Sequence, residues 1–164
     1  MTETGGETVF VSACRLYDTL ADDLCRKLLG RKAVNAYEFG VTVKTVEKFD
    51  RTQWPHARHP VIAQDARDGR RYLYANELMT EEIDGLDAME SRTVLDRLFD
   101  HIRRSPDRYV HDWSVGDLVL WDNRRALHAR TDFPADQPRS LRRIPVDDDV
   151  PVIAARLQPL KVTP

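Results

Sequence analysis

Two apolar runs flank an Asp-Gly dipeptide in the stretch HPVIAQDARDGRRYLYAN, residues 59–76. Asp68-Gly69 favours positive φ and a tight reversal, so Val61-Ile62 and Tyr72-Leu73-Tyr74 are predicted to pair as a β-hairpin. The remaining elements have to be fitted around that antiparallel pairing. A strand is predicted over Thr8–Ser12, behind the Gly5-Gly6 pair. From Ala13 to Leu29, Leu16, Leu20, Leu24 and Leu28 recur every four residues, a helical stripe in one piece or two, with Gly30 as its stop. Residues 31–58 are polar and weakly periodic, and extended or loop structure is expected there.

Downstream, Val94, Leu95, Leu98, Phe99 and Ile102 share one face of a helix predicted over Glu90–Arg104 and ended before Pro106. A turn at Gly116 is expected to introduce a buried strand, Asp117–Trp121, and Ser140–Val146 reads as another strand. Neither an internal repeat nor a convincing linker interrupts residues 1–164, so one domain is expected, with strands carrying the core and helices beside them.

Composition narrows the function classes. Charged residues make up 32% of the 164, but their signs nearly cancel to a net −2, unlike the basic excess of a nucleic-acid binder. No run of about 18 apolar residues exists to cross a membrane, and MTETGGETVF lacks the basic start and apolar stretch of a secretory signal. The expectation is a cytoplasmic protein without nucleic-acid or membrane partners. Cys14 and Cys25, roughly 16 Å apart if one helix carried both, read as reduced, mostly buried thiols.

The segment WDNRRALHARTDFPADQPRSLRR, residues 121–143, sets His128 eleven and fifteen positions ahead of Arg139 and Arg143. If residues 139–143 are extended, those two arginines share a side about 13 Å apart, while Arg142 points away. That separation suits two guanidiniums serving two different anions. Each planar fork matches a carboxylate or sulfonate through paired charge-assisted hydrogen bonds. Spacing alone leaves a solvated basic edge as the plainer alternative.

In context, YVHDWSVGDLVLWDNRRALHARTDF, residues 109–133, resembles the C-terminal signature of the taurine dioxygenase (TauD/TfdA) family of Fe(II)- and 2-oxoglutarate-dependent oxygenases. The matching residues are Gly116-Asp117, Trp121-Asp122-Asn123, His128, Arg139 and Arg143. GGETVFVSA, residues 5–13, resembles the family's Gly-Gly-x-Thr segment, and residues 59–76 resemble its His-Pro-Val hairpin. The resemblance implies a mainly β fold with flanking helices, part of a double-stranded β-helix (jelly-roll). It further implies His128 as an iron ligand, Thr8 and Arg139 on the 2-oxoglutarate cosubstrate, and Arg143 on a small substrate that is expected to be anionic.

The same resemblance exposes a gap. Family members bind iron through two histidines and a carboxylate, and the first histidine and the carboxylate come from a His-x-Asp or His-x-Glu motif upstream of Gly-Gly-x-Thr. Only seven residues precede Thr8, none of them histidine. His56, His59, His101, His111 and His128 all lack a carboxylate two positions on. The expectation is therefore the C-terminal portion of a dioxygenase, lacking the N-terminal part of the fold, with weak iron binding, no catalytic residue of its own and little activity alone. Such a fragment would expose strand edges and apolar faces, and so dimerise or need a complementing N-terminal polypeptide. Truncation, a split enzyme and a degenerate relative remain open, as does a non-catalytic 2-oxoglutarate or dicarboxylate binder. Residues 77–90 are a candidate pocket wall, and residues 147–164 carry an acidic cluster without a chemical signature.

Overall fold

A computed structural model describes residues 5–37, 55–147 and 149–155. The first strand, β1 (Thr8–Ser12), runs straight into α1 (Ala13–Asp18), because Ser12 is both the end of the strand and the N-cap of the helix. Its hydroxyl accepts from the Arg15 N–H at 3.3 Å, satisfying a donor that the helix start leaves unpaired. The leucine stripe breaks once. Thr19 closes α1, and α2 (Asp22–Leu28) follows with Asp22 and Asp23 in its first turn and Arg26 and Lys27 in its last, each favoured by the helix dipole. Gly30, at φ +80°, ends the helical region as expected.

The polar stretch that gave no clear period contains a regular strand, β2 (Lys32–Ala36), and the start of β3 (His56–Pro60). These pair antiparallel from Lys32↔Pro60 to Ala36↔His56, and β6 (Thr80–Ile83) pairs on the other side of β2. Residues 80–83, read from sequence as pocket wall, are thus a sheet edge. The Asp-Gly hairpin forms as predicted: β4 (Ile62–Gln64) and β5 (Arg71–Leu73) pair at Ile62↔Leu73, Ala63↔Tyr72 and Gln64↔Arg71. Gly69 has φ +73°, and the reversal spans residues 65–70, with the Asp65 N–H donating to Arg70 O at 2.9 Å. The third helix, α3 (Ala88–Arg103), is capped by the Asp87 carboxylate, which accepts from the Glu90 N–H at 2.8 Å.

Three three-stranded sheets result among the described residues: β3-β2-β6, β5-β4-β9 with β9 (Ile153–Ala154), and β7-β1-β8 with β7 (Arg108–His111) and β8 (Ala126–Arg130). The core lies between helices and sheets. Val11 from β1, Leu16, Leu24 and Leu28 from the first two helices, Ile62 and Leu73 from the hairpin, and Leu95 and Leu98 from α3 form one buried cluster. Cys14 is buried and Cys25 only half-buried against that cluster.

Two predicted strands are corrected. Asp117–Trp121 and Ser140–Val146 form no strand, and no described segment pairs with either. Leu118 and Leu120 are 93% and 90% exposed, and Ile144 and Val146 are 83% and 87% exposed. The apolar run at residues 118–121 is real, but a strand needs a ladder partner, and β1 takes residues 126–130 instead. Among the described residues no helix is long and apolar enough to cross a membrane.

Core and surface leucines should therefore respond differently. Leu98→Ala, at a fully buried site, is expected to lower the unfolding free energy by about 3 kcal/mol. Leu118→Ala should change it by no more than about 0.5 kcal/mol. Urea denaturation of both variants checks the contrast.

Candidate functional site

Strand β1 is the central strand of its sheet, and alternation divides its side chains between two faces. Val11 faces the core with its partner Leu127. Thr8 and Phe10 face the other way, and the register sets them against residues of both neighbours. Phe10 pairs with Tyr109 and His128, and Thr8 pairs with His111 and Arg130. The register therefore brings Thr8 and His128, 120 positions apart in sequence, onto one face of one sheet, one residue pair apart.

Aromatic rings form the setting of His128. Its ring lies 5.9 Å from Phe10 and 5.2 Å from Trp121, and Phe10 meets Trp121 edge-on at 5.3 Å. One side of the imidazole stays open to solvent. Burial against the rings pushes its pKa below the ordinary histidine value, and the Arg143 guanidinium pushes in the same direction. Both effects favour the neutral ring, the form that can ligate a metal. Thr8 is buried, and its hydroxyl oxygen accepts from the Trp113 indole N–H at 2.9 Å, leaving the hydroxyl proton available to a ligand.

Arg139 arrives from an irregular segment rather than a strand. Its Nε–H donates to Gly6 O at 2.8 Å, which brings the guanidinium to the start of β1, two residues from Thr8. Gly5, at φ +72°, lets the same stretch pass close to residue 132, where a Cβ would stand 2.2 Å from Asp132 O. Arg143 sits apart from Arg139. Its Nη2 donates to Asn123 Oδ1 at 3.3 Å, and its guanidinium lies 5.8 Å from the centre of the Trp121 ring. The two arginines thus reach different parts of the face, but through loop contacts and not the strand alternation expected from sequence. A cleft of about 530 Å³ opens at the other end of β1, lined by Phe10, Ser12, Asp107, Arg108, Tyr109 and Arg125.

The residues that sequence reasoning missed form a charged hub beside this face. The Asp65 side chain, 1% exposed, sits on the hairpin turn and takes the guanidiniums of Arg67 and Arg125. Arg67 Nε and Nη2 reach Asp65 Oδ1 and Oδ2 at 2.9 and 2.6 Å, and Arg125 Nε reaches Oδ2 at 3.0 Å. Arg67 continues to Asp122 at 3.1 Å and Arg125 to Asp68 at 2.9 Å. Hydrogen bonds from Arg67 above all, with Arg125 adding to them, hold the Asp65 carboxyl well below the usual carboxylate range against the opposing effect of burial. No local motif announces this hub, because its members come from the hairpin turn and from the turn ahead of β8.

No group of three or more histidine, cysteine, aspartate or glutamate side chains that could hold a metal ion occurs among the described residues. His128 alone does not define the facial three-ligand site that ferrous iron needs. His111 shares the sheet face, but its Nε2 is 3.2 Å from Asp117 Oδ2 and off the line of a hydrogen bond, while its Nδ1 is engaged with the Tyr109 hydroxyl at 2.9 Å.

The model of the taurine catabolism dioxygenase TauD, TfdA family matches residues 1–144. The chain belongs to the TauD/TfdA family. Among curated relatives of this family member, pentalenolactone F synthase of Streptomyces avermitilis is 32% identical over 155 residues, covering 85% of this chain and 51% of the relative. The alpha-ketoglutarate-dependent 2,4-dichlorophenoxyacetate dioxygenase of Cupriavidus pinatubonensis is also 32% identical, over 91% of this chain and 53% of the relative. The chain thus spans about half the length of the curated relatives it matches. The crystal structure of AAD-2 in complex with Mn(II) and N-oxalylglycine superposes with a TM-score of 0.74 at 25% identity, over 94% of this TauD/TfdA chain and 60% of that one.

The hub gives a pH prediction. A carboxyl with a depressed folded-state pKa stabilises the fold fully above its unfolded value, near about 4, and loses that contribution as pH falls through the lower folded value. Asp65→Asn is expected to cost about 2–3 kcal/mol at pH 7. The gap between wild type and variant should shrink as pH drops below about 4, measured by urea denaturation across that range.

Proposed function

We propose that this chain is the cosubstrate- and substrate-binding portion of an Fe(II)/2-oxoglutarate-dependent dioxygenase, acting on a small anionic substrate. The observation that carries this reading is the β1 register, which sets Thr8 and His128 on one sheet face while Arg139 is tied to Gly6 beside them. The distal carboxylate of 2-oxoglutarate fits the pairing of the Thr8 hydroxyl with the Arg139 guanidinium, one donor preset by Trp113 and the other by Gly6 O. Arg143, held by Asn123 against Trp121, is suited to an anionic group on the substrate, with Phe10 and Trp121 supplying apolar surface. The names of the relatives support an alpha-ketoglutarate-dependent dioxygenase; within that class, the proposed reaction couples oxidative decarboxylation of 2-oxoglutarate to succinate with hydroxylation of the substrate. A jelly-roll arrangement of the whole protein is part of the same reading.

Iron is not provided for by the described residues, so no catalytic step is assigned to this chain by itself. The apolar runs at Leu118, Leu120, Ile144 and Val146 favour a second reading as a subunit of a split assembly, covered by a polypeptide that brings the other metal ligands. A metal-independent dicarboxylate binder is the remaining alternative, with the same Thr8 and Arg139 pocket.

Calorimetry with 2-oxoglutarate, with and without ferrous iron under anaerobic conditions, tests the proposal. Binding should be measurable, should fall at least tenfold in Arg139→Ala and should strengthen only slightly with iron, while succinate release by the chain alone stays at background. Binding insensitive to Arg139→Ala would remove the carboxylate pocket, and with it this function.

A further inference from the structure

We infer that Asp65 is a positioning residue for His128, acting through Arg125 from the hairpin turn onto the start of the strand that carries the imidazole. Its importance for activity rests on the reading of His128 as a metal ligand, but its geometry does not. Arg125 immediately precedes β8 and is fixed on every side. Its carbonyl accepts from the Ala13 N–H at 2.7 Å, and its own N–H donates to Asp122 O at 3.1 Å. Its side chain is tied to Asp65 and Asp68. At the other end of the same turn, the Asp122 carboxylate accepts from the Arg124 N–H at 3.0 Å and from Arg67 at 3.1 Å. Both ends of turn 122–125 are therefore bolted to hairpin turn 65–68 through one buried carboxylate and the guanidiniums around it.

The flanks of the bolted turn are the two residues that meet in the site. Trp121 enters it and His128 follows it by three residues, and their rings lie 5.2 Å apart with Phe10 against both. Rotation of turn 122–125 would separate them. A buried charge cluster is a weak way to add stability, because apolar side chains of similar volume do as well. What guanidinium–carboxylate forks add is direction, since each pair of parallel hydrogen bonds sets an angle as well as a distance. Removing Asp65 would leave Arg67 and Arg125 tied only through the more exposed Asp122 and Asp68, and the turn would be held less firmly.

The experiment is a histidine Cε1–H and Cδ2–H spectrum of the full chain, ¹³C-labelled and metal-free, with His128 assigned through His128→Gln. Ring currents from Phe10 and Trp121 displace the His128 signals from the free-histidine position. In Asp65→Asn, at a temperature where the variant is folded, they are expected to move back toward that position, while those of His101 on α3 and His59 on β3 stay. Asp68→Asn, which removes only the exposed partner of Arg125, should move the same signals in the same direction by less. Should Asp65→Asn fail to fold, the milder variant decides. Unmoved His128 signals beside a lowered melting temperature would reduce the hub to a simple clamp and overturn the inference. Added Mn(II) with 2-oxoglutarate tests the ligand reading separately: broadening of wild-type His128 signals supports it, and absence of broadening sinks it without touching the role of Asp65.

Discussion

A single carboxylate, almost entirely removed from water, joins the part of this fold that is local to the part that is not. Asp65 belongs to a hairpin that could be read from a dipeptide, while Arg125 belongs to the turn that launches β8, 60 positions later in sequence. Burying the carboxylate is costly, and it is tolerated because both its oxygens are occupied by guanidinium donors and by the Arg67 N–H at 2.8 Å. The bond fixes sheet β5-β4-β9 relative to sheet β7-β1-β8. The site face inherits its geometry from that constraint.

From there the division of labour in β1 follows from alternation. Val11 commits one face to the core, so Thr8 and Phe10 must face the other way, where His128, Trp121 and Trp113 gather. The face is rich in anion-binding potential and poor in metal ligands. Elsewhere among the described residues, the aliphatic side chains of Leu118, Leu120, Ile144 and Val146 project into water. The chain spans about half the length of its curated relatives.

Local signals carried the elements that local physics decides. Asp68-Gly69 gave the hairpin, the leucine period gave the first helices, and Val94, Leu95, Leu98 and Phe99 gave α3. Thr8, His128, Arg139 and Arg143 were named from motif resemblance, and the register of β1 and β8 places the first two together. Where expectation failed, a pairing partner was the missing information. Leu118-Val119-Leu120-Trp121 is an apolar run like that of a buried strand, yet none of the described segments is there to pair with it. The weakly periodic Lys32–Ala36 became a strand because β3 and β6 flank it on both sides. Asp65 lies in a polar turn, and nothing near it in sequence reveals that the distant Arg125 joins its neighbour Arg67 on the carboxylate.

The account stands on the view that these residues form the anion-holding side of an oxygenase pocket and supply one imidazole to its metal. X-ray absorption spectroscopy of the chain loaded anaerobically with Fe(II) and 2-oxoglutarate counts those imidazoles directly. One histidine nitrogen at most, with the remaining shell made of cosubstrate and water oxygens, is the predicted result. A shell containing two imidazoles and a protein carboxylate from this chain would contradict it.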